Sequence, residues 1–333
     1  MINQDQANQL KKIFLDVTSR KKIWERIKIK GEAFYFQKNY NELIKLSSFS
    51  KDDLPLAQRK LTLLGKLITR ISTFANIMYR RPGTEEVTFY ALANQANGRV
   101  IKKLIDRICI KIAGPPLCWR REQVVKFIAQ SMLAIMQKNN GNFALLDIGC
   151  GGGFDGLEVH RIMQEIKEKI KNQSGFTMPK FRVINNDIDH HWLNNNKIIS
   201  DLLFKDNDFT IQRKMSIFDY INKKMYMDDL RDIQHLIISC NGFAEFFQDP
   251  DLNRLLSGIK DITTSVQGDV YFTFQFSIKN IMKEKMGKLI GFRYIARARK
   301  HINQLINRHF DDYRIECQEK YNEVAFSLRR VVN

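Results

Sequence analysis

A glycine-rich turn between a short apolar run and a helical segment is the feature that most constrains this chain. Residues 145–156 read LLDIGCGGGFDG, so a predicted strand runs into Gly149 and a predicted helix begins just after Gly153. Glycine suits such a turn because it permits a tight bend and lets a ligand approach the backbone with no Cβ in the way. The pattern therefore predicts a strand, a ligand-binding loop and a helix in succession.

From residue 143 onward, short apolar runs alternate with amphipathic helical segments. Predicted strands cover 143–148, 181–186, 209–213, 234–240, 268–275, 312–318 and 323–332, and predicted helices cover 155–172, 190–204, 219–224, 250–264 and 279–308. Such alternation predicts a parallel sheet built from βαβ units. Only residues 319–322 separate the last two runs, too few for a helical crossover, so these runs should form an antiparallel hairpin at one edge.

The first part of the chain has a different composition. Residues 1–139 hold 26 Lys and Arg against 11 Asp and Glu, a net charge of +15, whereas residues 140–333 hold 28 against 25, a net charge of +3. Helical spacing of apolar residues appears in 7–30, 55–79, 86–112 and 120–137, with breaks expected at Pro55, at 81–83 and at 114–116. We predict a basic all-helical region over 1–139 and a sheet domain over 140–333.

The net charge of +18 and the sequence pI near 9.6 favour an anionic partner, either nucleic acid or a membrane surface. A solvated helix face explains the basic excess equally well. If the charge does face an anion, the candidate side chains are Lys28, Lys30, Arg80, Arg81, Arg120 and Arg121.

Cysteine and histidine spacing points to neither disulfides nor a metal. The five cysteines form no C-x-x-C pair, and the six histidines form no H-E-x-x-H motif. No stretch of signal-peptide type follows Met1, and Lys or Arg interrupts every apolar run before it reaches the length of a spanning helix. A cytoplasmic protein with reduced thiols and no transmembrane segment is the expectation.

A second acidic position follows the glycine turn. Residues 183–187 read VINND, so Asp187 ends the next predicted strand, where a carboxylate can accept hydrogen bonds from ribose hydroxyls. The dinucleotide pattern G-x-G-x-x-G needs glycine where Phe154 stands, and the phosphate loop G-x-x-x-x-G-K-[ST] is absent. The ligand is therefore predicted to be a nucleoside without a pyrophosphate.

Asp147 followed by Gly149, Gly151 and Gly153 resembles the first motif of class I S-adenosylmethionine-dependent methyltransferases. The resemblance covers about residues 118–333 and implies an α/β fold with a Rossmann-like seven-stranded sheet and an antiparallel C-terminal hairpin. Segments 241–249, 271–275 and 292–299 are similar to those of a bacterial methyltransferase family found alone or fused to an α/β hydrolase. That nearer resemblance implies a small-molecule or lipid-like acceptor.

The resemblance also implies roles for individual residues. Asp147, Gly149, Gly151 and Gly153 would surround the methionine part of S-adenosylmethionine, with Cys150, expected to be a small buried thiol, in the same turn. Asp187 would hold the ribose and Ile188 would lie against the adenine. Ser216 stands where the class usually has an acid for the adenine amine, so Ser216, the Ile217 backbone or Asp219 would take that part. Asn241, also placed near the cofactor, and Glu245 are the candidate catalytic residues because they follow the fourth strand.

The acceptor stays open between classes. No proline occurs in 239–247, so the Asn/Asp-Pro-Pro-aromatic turn that enzymes methylating exocyclic base amines share is missing. Methylation of a small or lipid-like acceptor is the first hypothesis. The alternatives are an RNA methyltransferase that uses the basic region as a phosphate track, and a module that binds S-adenosylmethionine without turnover.

Overall fold

The computed structural model describes residues 4–20, 61–80, 87–88, 90–91, 96, 99–138, 141–171, 178–203, 210–289 and 294–331. In this part of the chain, seven strands form a single sheet: β1 Phe143–Ile148, β2 Phe181–Asp187, β3 Thr210–Lys214, β4 His235–Cys240, β5 Val270–Ser277, β6 Arg314–Lys320 and β7 Glu323–Arg330. The seven predicted strands are thus confirmed, each with its ends within a few residues of the expected bounds.

The strand order is β3-β2-β1-β4-β5-β7-β6. Strands β1 to β5 pair in parallel, while β7 is antiparallel to both β5 and β6. The order reverses between β1 and β4, and ligands of open α/β sheets bind at the carboxyl ends of the strands beside such a reversal. This topology confirms the expected Rossmann-like seven-stranded sheet with its antiparallel hairpin.

Helices cover both faces of the sheet. The described α-helices are α1 Gln4–Ser19, α2 Leu63–Ile71, α3 Thr73–Arg80, α4 Ile101–Lys138, α5 Phe154–Ile170, α6 His190–Leu203, α7 Ile217–Asn222, α8 Tyr226–Asp229, α9 Asp249–Thr264, α10 Ile281–Leu289 and α11 Arg299–His309. A 3₁₀ turn spans Ala244–Phe246. No helix among the described residues combines the length and the hydropathy needed to cross a bilayer.

Successive side chains along the strands point to opposite faces of the sheet and contribute to two hydrophobic cores. Leu146 and Ile238 point to a core shared with α9 and α11, whereas Leu145 and Ile237 point to one shared with α1, α4 and α5. Phe14 of α1 is buried in this second core. Two helices of the basic region therefore form a layer against the sheet, while the boundary at residues 139/140 stays a prediction about chain organisation.

The expected helix break at residues 114–116 is wrong, because α4 continues through Pro115 and Pro116. Each proline removes an N–H donor and normally costs a helix interior about 3 kcal/mol. The carbonyls left without donors belong to Lys111 and Ile112, which are exposed and open to water. Burial of Ile110 on one side of the prolines and of Val124 on the other favours the continuous helix.

The single helix expected over 279–308 is also wrong, since α10 and α11 are separate. Between them, the Ile295 N–H donates to the Glu245 carbonyl at 2.8 Å, and Arg297 pairs with Asp249 at 2.8 Å. These long-range bonds fix residues 294–298, the described part of the connection, outside a helix. The helix expected over 55–79 is likewise interrupted at Ser72.

Candidate functional site

The glycine turn that follows β1 has the backbone conformation that glycine alone adopts easily. Gly149, Gly151 and Gly153 have φ values of 62°, 54° and 61°. The Gly149 N–H donates to the Asn186 carbonyl at 2.8 Å, which joins the turn to the end of β2. A side chain at these positions would be strained, so the glycines predicted from sequence shape the loop.

Asp187 lies against the same turn from the end of β2. Its Oδ2 accepts a hydrogen bond from the Gly151 N–H at 2.7 Å, and its Oδ1 accepts one from the Asp189 N–H at 2.8 Å. Burial is the main cause that raises the pKa of this carboxyl above its ordinary value, against the opposing effect of the two N–H donors. The predicted ribose-binding acid and the predicted glycine loop are therefore in direct contact.

Asn196 of α6 contacts the glycine turn and stabilises it, a role that was not predicted from the sequence. Its Nδ2 donates to the Gly152 carbonyl at 2.8 Å, while its Oδ1 accepts hydrogen bonds from Asn185 and Gln212. A Cβ at Gly153 would lie 2.5 Å from the Asn196 Nδ2. The run of three asparagines at 194–196 was the only local signal, and it does not say which of them faces the turn.

The loops after β3 and β4 complete the edge of the site. Asn186 Nδ2 donates to the Met215 carbonyl at 3.1 Å, which brings the β3 loop to the end of β2. Ser216 caps α7 by accepting from the Phe218 N–H at 3.2 Å, and the Ile217 side chain is buried in the core. Ser216 and the Ile217 backbone therefore stand beside the end of β2, and their contact with an adenine stays a prediction.

Two apolar residues flank the glycine turn on its open side. Ile188 follows Asp187 and is 50% exposed, and its contact with adenine stays a prediction. Phe243 of the β4 loop packs onto Gly149, since a Cβ there would lie 2.5 Å from the Phe243 Cγ. Asn241, partly buried, lies in this β4 loop immediately after Cys240.

The strand ends turn polar on the face covered by α4 and α5. Asp147, Asn185 and Ser239 each lie two residues beyond an apolar core residue of the same face, and all three are buried. Ser239 Oγ donates to Asp155 Oδ2 at 3.1 Å, and Gln275 Nε2 donates to the Arg120 carbonyl at 2.9 Å. This edge of the sheet is therefore built for polar contacts rather than for apolar packing.

A buried cluster of charges joins α4 to the β4 loop, to the end of β5 and to the start of β7. Arg120 donates to both oxygens of Glu245, at 3.0 and 2.7 Å, and its Nε donates to Glu323 at 2.8 Å. Ser277 donates its N–H to Glu245 at 3.1 Å and its hydroxyl to Glu323 at 3.0 Å. Burial disfavours ionisation of Glu245, but Arg120 outweighs it and holds the pKa of Glu245 below its ordinary value.

Arg120 and Arg121 do not belong to an anion-facing surface, contrary to the expectation from sequence. Both are buried, and Arg121 pairs with Asp155 at 3.1 Å. Lys28, Lys30, Arg81 and the side chain of Arg80 lie outside the described residues. The contact between Arg120 and Glu245 joins residues 125 positions apart in the chain, so no local pattern could have indicated it.

Cys150 is a buried thiol, as expected, and Cys240 at the end of β4 is buried as well. Burial raises the pKa of Cys240 well above its ordinary value, so its thiol stays protonated. In the part of the chain that the structure describes, no group of three or more His, Cys, Asp and Glu side chains is arranged to hold a metal ion.

We predict that Gly149→Ala destabilises the protein by at least about 2 kcal/mol, because the new Cβ meets Phe243 and the positive φ becomes strained. Chemical denaturation measures the free energy of unfolding. The double variant Gly149→Ala/Phe243→Ala should lose less unfolding free energy than the two single variants lose together, since the clash with Phe243 is gone. Strict additivity would show that Phe243 does not press on this turn.

Comparisons with known proteins find likeness only among solved structures. No protein-family model and no curated protein matches the chain. Magnesium protoporphyrin IX methyltransferase from Synechocystis PCC 6803, with bound S-adenosylhomocysteine, is 10% identical, has a TM-score of 0.43, and the match covers 78% of this chain and 99% of that one. Human N-acetylserotonin methyltransferase with S-adenosylmethionine is 12% identical at a TM-score of 0.33, covering 57% and 48%.

An O-methyltransferase family 2 protein from Planctomyces limnophilus DSM 3776, in complex with apigenin, is 11% identical at a TM-score of 0.37, covering 80% of this chain and 92% of that one. The fold assignment rests on this chain's own strand order. The nearer resemblance to the family found alone or fused to an α/β hydrolase stays a prediction.

Proposed function

We propose that this chain, which has the class I methyltransferase fold, is an S-adenosylmethionine-dependent methyltransferase that acts on a small-molecule or lipid-like acceptor. The observation that carries the proposal is the contact between Gly151 and Asp187. This contact brings together a loop of positive-φ glycines and the acid that we propose binds the ribose, at the carboxyl ends of β1 and β2 and next to the reversal in strand order.

The residues present fit this cofactor. Asp187 offers a carboxylate to two ribose hydroxyls, the half-exposed Ile188 offers an apolar surface to adenine, and Ser216 offers a hydroxyl beside the end of β2. Asp147, Gly149, Cys150, Gly151 and Gly153 would enclose the methionine part. The dinucleotide pattern G-x-G-x-x-G would need glycine at position 154, where the buried Phe154 begins α5, so this loop does not match a pyrophosphate-binding loop.

When bound, S-adenosylmethionine supplies an electrophilic methyl group on a sulfonium. The chain itself contributes position and exclusion of water, and well-oriented reactants can gain many orders of magnitude from such positioning. Asn241 follows β4 beside the glycine turn and is our candidate for direct contact with the acceptor. Glu245 has both oxygens bound by Arg120 and a lowered pKa, so we propose that it positions the β4 loop rather than accepting a proton.

One observation weighs on the alternatives. Burial of Arg120 and Arg121 removes two cations from the proposed phosphate track, which lowers the support for RNA as the acceptor. Transfer of a methyl group separates an enzyme from a module that binds the cofactor without turnover. The cytoplasmic location expected from the sequence stays a prediction.

Titration calorimetry with S-adenosylmethionine, followed by transfer of a labelled methyl group into cell extract, tests the proposal. We expect binding in the micromolar range and label in the lipid or small-molecule fraction. Label in RNA would favour the RNA alternative, and binding without transfer to any fraction would favour the module. Absence of binding to intact protein would refute all three, with Asp187→Ala protein as the matched negative control.

A further inference from the structure

The start of α4 exposes an unusual surface that includes none of the residues of the candidate site. In residues 99–112, every exposed side chain is either basic or aliphatic. The basic ones are Arg99, Lys102, Lys103, Arg107 and Lys111, and the aliphatic ones are Val100, Ile101, Leu104, Ile108 and Ile112. The aliphatic side chains are between 49% and 84% exposed, so they leave a substantial apolar area in contact with water. We name these ten residues the basic-aliphatic face.

The rotation of this helix segment is set by its buried side. Asp106 is fully buried; its Oδ1 accepts hydrogen bonds from the Ser72 hydroxyl at 2.7 Å and the Phe74 N–H at 2.8 Å, and its Oδ2 accepts one from the Tyr90 hydroxyl at 2.6 Å. Ile110, one turn further on, is buried in the cluster with Phe74. The helix therefore cannot roll to bury its aliphatic side chains without breaking these bonds.

Helical geometry sorts the exposed residues into two adjacent stripes. Leu104, Ile108 and Ile112 recur at a spacing of four and form an aliphatic stripe, while Lys103, Arg107 and Lys111 form a basic stripe beside it. The sole acid of this segment is Asp106, on the buried side. Helix α2 repeats the composition, with Leu63, Leu64 and Leu67 exposed alongside Lys66 and Arg70.

We propose that the basic-aliphatic face docks on an anionic lipid bilayer and holds the protein at a membrane surface. A helix lying in the interface of a bilayer inserts its apolar stripe at the headgroup boundary and keeps its Lys and Arg among the lipid phosphates. Each Lys or Arg near an anionic bilayer contributes about 1 kcal/mol of attraction. The charge of the face complements such a surface, and its aliphatic stripe supplies the insertion that attraction alone does not.

Nucleic acid fits this face less well than a bilayer. Phosphate tracks use basic side chains with polar or aromatic neighbours, since bases stack on aromatic rings. The exposed neighbours here are branched aliphatic residues. They make no favourable contact with a phosphate backbone, whereas their burial in an acyl layer lowers the free energy. The proposal does not depend on methyl transfer, although a lipid-like acceptor would explain the use of such a surface.

Vesicle flotation of the full chain tests the proposal, with vesicles of phosphatidylcholine alone and of equal parts phosphatidylcholine and phosphatidylglycerol. We expect binding to the mixed vesicles only, and weaker binding as salt increases. Lys103→Gln/Arg107→Gln/Lys111→Gln should lower the partition coefficient about a hundredfold, at roughly fivefold for each charge. Leu104→Gln/Ile108→Gln should lower it at least about tenfold through the lost apolar contact.

Matched controls carry the same changes elsewhere on the surface. Lys223→Gln/Lys300→Gln/Lys320→Gln removes three exposed charges, and Met227→Gln/Val331→Gln removes two exposed apolar side chains. Both control variants should float like the unchanged protein, and all four variants should keep its melting temperature and its binding of S-adenosylmethionine. If the unchanged protein binds vesicles but does not bind S-adenosylmethionine, the proposed function is refuted and this inference still stands.

Four results would overturn the inference. The first is absence of flotation with the mixed vesicles. The second is equal loss in the two charge variants, which would mean that net charge alone drives binding. The third is a dimer in light scattering, without lipid, that Leu104→Gln/Ile108→Gln dissociates, because a second copy would then cover this face. Salt-dependent binding of an RNA oligonucleotide that needs Lys103, Arg107 and Lys111 but not Leu104 would identify RNA as the partner instead.

Discussion

Asp187→Ala should weaken the binding of S-adenosylmethionine at least about a hundredfold. A charged hydrogen bond contributes about 1.5–3 kcal/mol, and the variant loses two acceptors for the ribose hydroxyls. It also leaves the Gly151 N–H without its acceptor, so the glycine turn is held less firmly. Titration calorimetry measures the dissociation constant, and melting curves establish that the fold persists.

Protonation of Asp187 should weaken the binding of S-adenosylmethionine, as Asp187→Ala does. Because burial raises the pKa of Asp187 above the 3.8 of an ordinary aspartate, affinity should fall on acidification at a higher pH than that of an exposed carboxyl. The carboxylate is the form that accepts from two hydroxyls, so affinity is greatest above the raised pKa. Asp187→Asn should bind weakly and lose this pH dependence.

Asp228→Ala is the matched control for Asp187→Ala, since Asp228 is exposed and pairs only with the exposed Arg231 among the described contacts. It should leave the affinity unchanged. Equal affinities for Asp187→Ala and the unchanged protein would show that the acid after β2 does not hold the ribose. The assignment of the nucleoside end of the site would then be wrong.

Arg120→Gln should destabilise the fold by about 3–5 kcal/mol at pH 7. Removing one partner of a buried ion pair leaves the other charge uncompensated, and here two carboxylates, Glu245 and Glu323, lose the same guanidinium. The free energy of unfolding from chemical denaturation measures the loss. Arg120→Gln/Glu245→Gln/Glu323→Gln, which removes all three charges, should recover part of it.

The pH dependence of stability should change sign in this variant. In the unchanged protein Arg120 holds the pKa of Glu245 below its ordinary 4.5, so this pair's contribution is present above that pH and is lost as pH falls through the lowered pKa. Without Arg120, burial raises the pKa of Glu245, opposed by its hydrogen bonds from Ser277, so the folded state takes up a proton at Glu245 more readily. The loss of unfolding free energy caused by Arg120→Gln should therefore become smaller as pH falls. A deficit that is independent of pH would show that lost packing, not lost charge pairing, is responsible.

Local sequence patterns predicted the sheet well because the burial of a strand is visible in its own residues. A run such as 235–240 is apolar on both faces because helices cover both sides of a parallel sheet, and this signal needs no knowledge of the partners. The same holds for the glycine turn, where the positive φ of Gly149 is a property of one residue. Helix ends were predicted less well, since α4 passes through Pro115 and Pro116 and Ser72 separates α2 from α3.

The residues that brace the candidate site were the least predictable. Asn196 was one polar residue among several in its helix, and Arg120 was one cation among 54 Lys and Arg. Arg120 was expected to face an anionic partner, whereas it is buried between Glu245 and Glu323. Whether a charge on a helix faces water or a buried carboxylate depends on what packs over it, and that information lies more than a hundred residues away.

The sequence by itself determined the strands, the glycine turn of 149–153 and the acid at 187, because apolar runs and the conformational freedom of glycine act over a few residues. The tertiary structure alone decided that Asp187 reaches the Gly151 N–H, that α1 and α4 form a layer against the sheet, and that the exposed basic charge of 99–112 shares a face with an aliphatic stripe. The physical reason is that periodicity in the sequence indicates which residues are buried but not which distant segment they meet, and that partner is selected by packing and charge pairing in the folded chain.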